Sequence, residues 1–362
     1  MKREKNGADA RRRRVSWVAT GNAPGHVPLA TAPAWVRAAC LAAVLTTAAC
    51  GEILDAGHNM QRGELPVDGR NPIILCNDGW QDNWAGEYAV LMASRGELTL
   101  AGIVVDGSKY WTNQDENEAG WTGLVAAART SGLDHLPDVA RGAGTPLAVP
   151  ADQKIESTVP LRTEGSQLIL DVSRRLYLSG QPVTVVTGGP LTDLADAYLM
   201  DPTVVDRVVV VASLGSFSSP KASMTGPNGD LDPWADWIVA QRFRYIQVTV
   251  LYDQAGELTP DDFDDLPKNQ LGRWMQAKYP ELSTLNTATD QVAVLVAAVP
   301  GFASSAPSYA PDPTAVFNSP PGQGPPLLPS ATGRAKVITQ VDASLPRKRL
   351  WEMLEDPLTF AP

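Results

Sequence analysis

Two carboxylates and an amide, Asp78, Asp82 and Asn83, close the stretch Cys76-Asn77-Asp78-Gly79-Trp80-Gln81-Asp82-Asn83. The stretch follows an apolar run and precedes a helical pattern, with Gly79 at the turn, so these oxygens converge at a strand end near a helix N-terminus. Like charges held together raise each other's pKa, which makes the cluster costly unless a cation sits in it. A helix N-cap with flanking acids is the plainer alternative, and Asp82 or Asn83 alone would satisfy it. Three later segments carry similar chemistry. Val186-Thr-Gly-Gly-Pro-Leu-Thr-Asp-Leu-Ala195 follows a strand and opens a helix, and Asn228-Gly-Asp-Leu-Asp-Pro-Trp-Ala235 opens another. Thr287-Ala-Thr-Asp-Gln-Val-Ala293 puts a lone acid, Asp290, at the head of an apolar helix.

The elements that must position these residues alternate along the chain. Strands are expected at 72–76, 98–105, 182–186, 204–211 and 245–251, and helices at 85–94, 121–131, 191–200 and 233–242. Continuous Val/Ile runs alternating with helices predict an α/β fold: one domain with a mostly parallel central sheet covered by helices on both faces. Ligands of such sheets bind at the strand C-terminal ends. Residues 300–329, rich in Pro, Ser and Gly, read as a long surface loop, after which 335–354 resume with a strand and a helix.

The chain has 362 residues, 44% hydrophobic and 19% charged, enough for a substantial core. Its formal charge is −10; residues 1–49 carry a net +6, so the remainder carries −16. A body this acidic excludes nucleic acid as a partner and suits a cation. Of the three histidines, His26 and His58 lie outside the body and His135 falls in a surface loop. That excludes a Ser-His-Asp hydrolase and favours a hard cation over zinc. The acidic run Asp261 to Asp265 lacks EF-hand spacing and reads as a helix N-terminus capped by Thr259. Trp80, Tyr110, Trp111, Trp121 and Trp234 lie near the motif segments, where aromatics either stack on a ligand or pack the core. Cys76, in an apolar strand without an activating base, reads as an inert thiol.

The N-terminus reads as an address. Arg37 precedes the apolar run Ala38 to Ala49, which is too short to span a bilayer comfortably. Cys50 follows two alanines, resembling a bacterial lipoprotein signal whose cysteine becomes lipidated, although Thr47 stands where Leu is usual. The expected organisation is a leader (1–49), a tether (50–70) and one domain (71–362), exported and held at the cell membrane by lipid on Cys50. A secreted or periplasmic protein is the alternative, and homo-oligomerisation is open.

Taken in order, the four segments resemble the inosine-uridine-preferring nucleoside hydrolase family, with its Asp-rich motif after the first strand, TGPLTN-type loop, N-x-x-x-D-P segment and late H-D-x-x-A segment. The resemblance spans about residues 72–354. It implies a Ca2+ cofactor held by Asp78, Asn83, the Thr187 carbonyl and Asp290. Asp78 would also hold and deprotonate the attacking water, and Asp82 and Asn228 would hold the ribose hydroxyls. Calcium accepts such mixed oxygen ligands. The implied activity is hydrolysis of the N-glycosidic bond of a ribonucleoside or related riboside. The chain departs from the family at several places. Cys76 replaces an Asp, Asn83 a charged ligand, Gly226 a ribose-contacting Glu, and Thr289 the His linked with leaving-group protonation. Asp106 and Ser108 are the candidates for the family's Asn after the second strand. The rival expectation is a surface lipoprotein that binds a nucleoside or sugar without turnover.

Overall fold

The chain divides into two compact units, residues 1–56 and 57–362. A computed structural model describes residues 67, 70–80, 84–107, 113–249, 262, 264–282, 290–299, 301–303, 308–313, 323–338 and 340–360. The leader and tether, Cys50 included, lie outside the described residues, as do Asp82, Asn83, Ser108, Tyr110, Trp111 and Thr289. Among the described residues no helix is long and apolar enough to cross a membrane.

Eleven strands form one sheet in the order β3-β2-β1-β4-β5-β8-β11-β9-β10-β7-β6. The core strands are β1 (Ile73–Asn77), β2 (Leu100–Val105), β3 (Val139–Arg141), β4 (Val183–Thr187), β5 (Val208–Ser213), β8 (Arg244–Val248) and β11 (Ala335–Ile338). These seven pair in parallel. The short strands β6 (Ser216–Ser218), β7 (Lys221–Ser223), β9 (Ser308–Pro311) and β10 (Pro326–Pro329) extend the sheet in antiparallel pairing. The chain runs outward from β1 to β2 and β3, then returns to β4 on the other side of β1. The β1/β4 boundary is therefore the topological switch point, where open α/β sheets leave a crevice at the strand C-terminal ends.

Both faces are buried, which is why the core strands are apolar without alternation. Ile73 and Leu75 face a cluster built with α1 (Ala85–Ser94), α2 (Gln114–Thr130), α6 (Gln270–Leu282), α7 (Asp290–Ala298) and α8 (Leu345–Glu355). Ile74 and Cys76 face a second cluster with α3 (Glu164–Tyr177), α4 (Thr192–Met200) and α5 (Pro233–Arg242). The expected α/β architecture is the observed one.

Three boundaries differ from expectation. Helix α2 starts at Gln114 rather than Trp121, because the Asn113 side chain accepts the Glu116 N–H at 2.9 Å and caps a first stretch that is polar and largely exposed. Residues 202–206 form a 3₁₀ turn capped by Asp201, so β5 begins at Val208. The Pro-rich segment is not only a loop: β9 and β10 pair within it. The prolines of these strands, Pro311, Pro326 and Pro329, stand at strand ends, where a missing donor is tolerated.

Helices α1, α2 and α6 meet around a buried ion pair, Lys278 Nζ to Glu87 Oε1 at 3.0 Å. The ammonium also lies 4.7 Å from the Trp84 ring centre and 5.2 Å from that of Trp274, in reach of both π faces. Trp274 packs on Trp80 at 5.6 Å, and Trp80 lies against Gly120, where a Cβ would collide with its ring. This cluster braces the turn after β1.

Helix α5 carries two buried acids. Asp232 caps it, accepting from Ala235 N, Leu147 N and Thr192 Oγ1 at 3.0, 2.8 and 2.8 Å, and burial pushes its pKa up to about 6. Asp236, one turn on, is fully buried; burial first, then Asp232 and Asp230, hold its pKa well above the usual carboxylate range. The folded chain keeps this proton at a pH where the unfolded chain has released it. Stability therefore falls as pH rises from the ordinary carboxylate value toward the folded one. Asp236→Asn, neutral at every pH, is expected to lose less stability than wild type between about pH 4 and pH 8, read as urea midpoints. Equal losses in the two proteins would refute the assignment.

Candidate functional site

The sequence-picked residues fall at the switch point. In the β1/β4 pairing Cys76 lies beside Thr187, so the turn after β4 runs alongside the end of β1. Gly188 N–H donates to the Cys76 carbonyl at 3.0 Å. Thr187 fastens the turn through its hydroxyl, which accepts from Gly189 N–H and reaches the Gly189 carbonyl, both at 3.2 Å. Its side chain is thus structural, consistent with a chemical role for its carbonyl alone.

Two glycines let the backbone pass where it does. A Cβ at Gly188 would sit 2.2 Å from Asp290 Oδ2 and 2.4 Å from Asn77 Nδ2. A Cβ at Gly189 would sit 2.9 Å from Asp78 N and 3.0 Å from Asp78 Cβ. Asp78, Asp290 and the end of β4 therefore close on one short turn, and both carboxylates are buried. Asn77 Nδ2 donates to Asp290 Oδ2 at 3.0 Å, and Asn77 Oδ1 accepts Gly79 N–H at 2.8 Å. Asn117 on α2 ties the same turn to β2, accepting Trp80 N–H at 2.9 Å and donating to the Asp106 carbonyl at 2.7 Å.

Beside this turn lies a second acidic group. Asp106 follows β2, and its pKa stands well above the ordinary range through burial, then Asp193, then Asp78. A Cβ at Gly142 would meet Asp106 Oδ1 at 2.3 Å and Asp193 Oδ2 at 2.5 Å, so the two carboxyls flank that glycine. Asp193 accepts from Ala143 N at 2.8 Å, Ser166 Oγ at 3.0 Å and the Thr163 hydroxyl. Asp193 thus has donors of its own, whereas burial and the neighbouring acids favour the protonated form of Asp106. Burial, then the same two acids, pushes the Cys76 thiol up, in keeping with an inert cysteine. A cavity of about 110 Å³ opens next to these loops, lined by Gly107, Ala143, Thr145, Pro190, Thr192 and Leu231 among others.

Asn228 also reaches the turn. Its Nδ2 donates to the Gly188 carbonyl at 2.6 Å and the Ser213 carbonyl at 2.9 Å, clasping the ends of β4 and β5. Its Nδ2 donors are thus both engaged by backbone. Gly226, where the resemblance sets a ribose-contacting Glu, has φ +156°, a backbone that strains any side chain, and a Cβ there would touch the Gly215 backbone at 3.6–3.9 Å. Asp82 and Asn83 lie outside the described residues, and among the described residues no three His, Cys, Asp or Glu side chains gather on one point. The oxygens of Asp78 and Asp290 and the Thr187 carbonyl suit a hard cation, and the glycine cradle leaves their turn free of side-chain bulk. Sequence reasoning missed Asn77 and Asp193. The first was quoted in the motif after the first strand without a role, and the second lay in the segment that opens a helix, where an acid beside a Gly-Gly turn was a usable signal.

Other expectations resolve simply. Trp121 and Trp234 are core residues, and Trp234 Nε1 donates to Thr158 Oγ1 at 2.9 Å. His135 is exposed. In the acidic run, Asp262 pairs with Arg347.

An open parallel sheet with oxygen donors gathered at its switch point defines a doubly wound α/β architecture. No family model and no curated protein sequence matches the chain. Solved structures do. A purine-preferring ribonucleoside hydrolase from Gardnerella vaginalis, 17% identical, aligns over 80% of this chain and 100% of its own with a TM-score of 0.58. The inosine-uridine-preferring nucleoside hydrolase of Bacillus anthracis, 15% identical, covers 79% and 99% with a TM-score of 0.57. The type III effector XopQ, solved with adenosine diphosphate ribose, is 14% identical and covers 85% and 98% with a TM-score of 0.50. The chain therefore has the nucleoside hydrolase fold.

If the cradle is as tight as it stands, Gly188→Ala must displace Asp290 or Asn77. The expected loss is about 1–3 kcal/mol of stability, the usual cost of forcing a methyl into a packed site. Chemical denaturation measures it, and an unchanged midpoint would mean the turn is slack.

Proposed function

We propose that the chain is a divergent nucleoside hydrolase, cleaving the N-glycosidic bond of a ribonucleoside or a related riboside with calcium as cofactor. The observation that carries the reading is the meeting of Asp78, the end of β4 at Thr187 and Asp290 around the Gly188–Gly189 turn, at the switch point of this fold. It is supported by the neighbours' being hydrolases of ribonucleosides.

Asp78, Asp290, the Thr187 carbonyl and Asn83 would hold the cation. Calcium supplies the positive charge that acidifies nearby water. Asp78 holds the attacking water and accepts its proton at the carboxylate. Asp82 and the Oδ1 of Asn228 hold the ribose hydroxyls, contacts that strengthen as the sugar gains oxocarbenium character. The cavity beside Pro190 and Thr192 gives part of the riboside room. Exposed His135 is remote from this role, so the base leaves without a histidine acid. The leader reading completes the proposal: an exported protein attached to the membrane through lipid on Cys50.

Gly226 and the backbone-engaged Asn228 favour a second reading, a binder of nucleosides or sugars without turnover. A chromogenic riboside and a panel of nucleosides, each with calcium and with chelator, decide between them. The hydrolase requires chelator-sensitive turnover that Asp78→Ala lowers about 10²–10⁴-fold, the range for a lost general base. Thermal stabilisation by a nucleoside without turnover would establish the binder. No response to calcium or to any nucleoside would sink both.

A further inference from the structure

We propose that Asn77 is a positioning residue whose side-chain amide holds the Asp290 carboxylate against the Asp78–Gly79 turn, so that the two ligands stay assembled without a cation. The inference deepens the reading of Asp78 and Asp290 as cation ligands and rests on it for its functional meaning.

Asn77 is the last residue of β1 and shares a strand face with Ile73 and Leu75, the face covered by α7. That register aims it at the head of α7, where Asp290 stands. It is buried, and each part of it is engaged on a different segment. Nδ2 donates to Asp290 Oδ2, Oδ1 accepts from Gly79 N–H, and the backbone carbonyl accepts Asp106 N–H at 2.9 Å. The job needs a donor and an acceptor on the same carbon of a short side chain. Aspartate has only acceptors, and serine or threonine has a single atom for both tasks. A hydrogen bond to a charged acceptor is stronger than one between neutral groups. Here it sets a partial positive charge against the Asp290 carboxylate. The Gly188 cradle leaves no slack, since a methyl there would strike both partners.

Three variants of the purified protein test this by thermal unfolding in chelator and in calcium, with calcium binding followed by calorimetry. Asn77→Asp keeps the acceptor for Gly79 but turns the donor toward Asp290 into a like charge. It is expected to melt several degrees below wild type in chelator, with calcium restoring most of the difference. Asn77→Ala, lacking both contacts, is expected to melt low in both conditions and to bind calcium about tenfold more weakly than wild type. The swap Asn77→Asp with Asp290→Asn returns donor and acceptor to opposite partners. It is expected to regain the chelator-state stability that Asn77→Asp loses, while no longer responding to calcium.

An Asn77→Asp protein that melts like wild type in both conditions would reduce Asn77 to a turn cap and overturn the proposal. So would a swap no more stable than Asn77→Asp. If Asn77→Asp does not fold, a soluble swap supports the proposal and an insoluble one overturns it. Wild type without any calcium response would fell the metal reading alone, because the swap in chelator tests the Asn77–Asp290 contact without metal.

Discussion

At residues 188 and 189 the chain passes so close to Asp290 and Asp78 that no side-chain carbon fits between them. Almost everything about the site follows from that approach. Parallel pairing of β1 with β4 brings the turn to the end of β1, and the switch of strand order there opens the sheet edge to a ligand. Asn228 and Thr187 then pin the turn by its own backbone groups, leaving acidic oxygens as its chemically distinctive feature.

Concentrating acids in a buried place has a cost, and the molecule meets it in three ways. Asp193 is satisfied by hydroxyls and a backbone amide. Asp106, beside it, is relieved of charge by keeping a proton. Asp290 takes an amide hydrogen from Asn77. Hydrogen bonding, protonation and a neutral partner are the available answers to buried negative charge short of a counter-ion. The buried lysine pair among the described residues, Glu87 with Lys278, is used elsewhere, to seat α6 against α1 behind the tryptophans.

Much of the fold was legible because burial on both sheet faces writes itself as uninterrupted Val and Ile. Helices 85–94 and 233–242 have the bounds read from sequence, since their apolar content begins and ends with the helix. The front of α2 was not legible: its first residues are polar, and only the Asn113 cap marks where it begins. Strands β9 and β10 were hidden because proline argues for a loop unless the partner strand is known. In the site, Asp78, Thr187 and Asp290 were legible as residues at the ends of strong elements. Asn77 was not, because a polar residue closing an apolar strand acquires its meaning only from a side chain on α7. Asp193 escaped for a similar reason: its partners come from β2, β3 and α3, which no local pattern links.

The contact between Asn77 and Asp290 joins residues 213 positions apart. Between them lie five of the six parallel core strands other than β1, from β2 to β8. Closing so long a loop precedes any reward from the contact, so such pairings form late in folding. A chain emerging from the ribosome displays Asp78 long before α7 exists to answer it, and a chain stopped short of residue 290 has the strand end without the carboxylate that Asn77 grips.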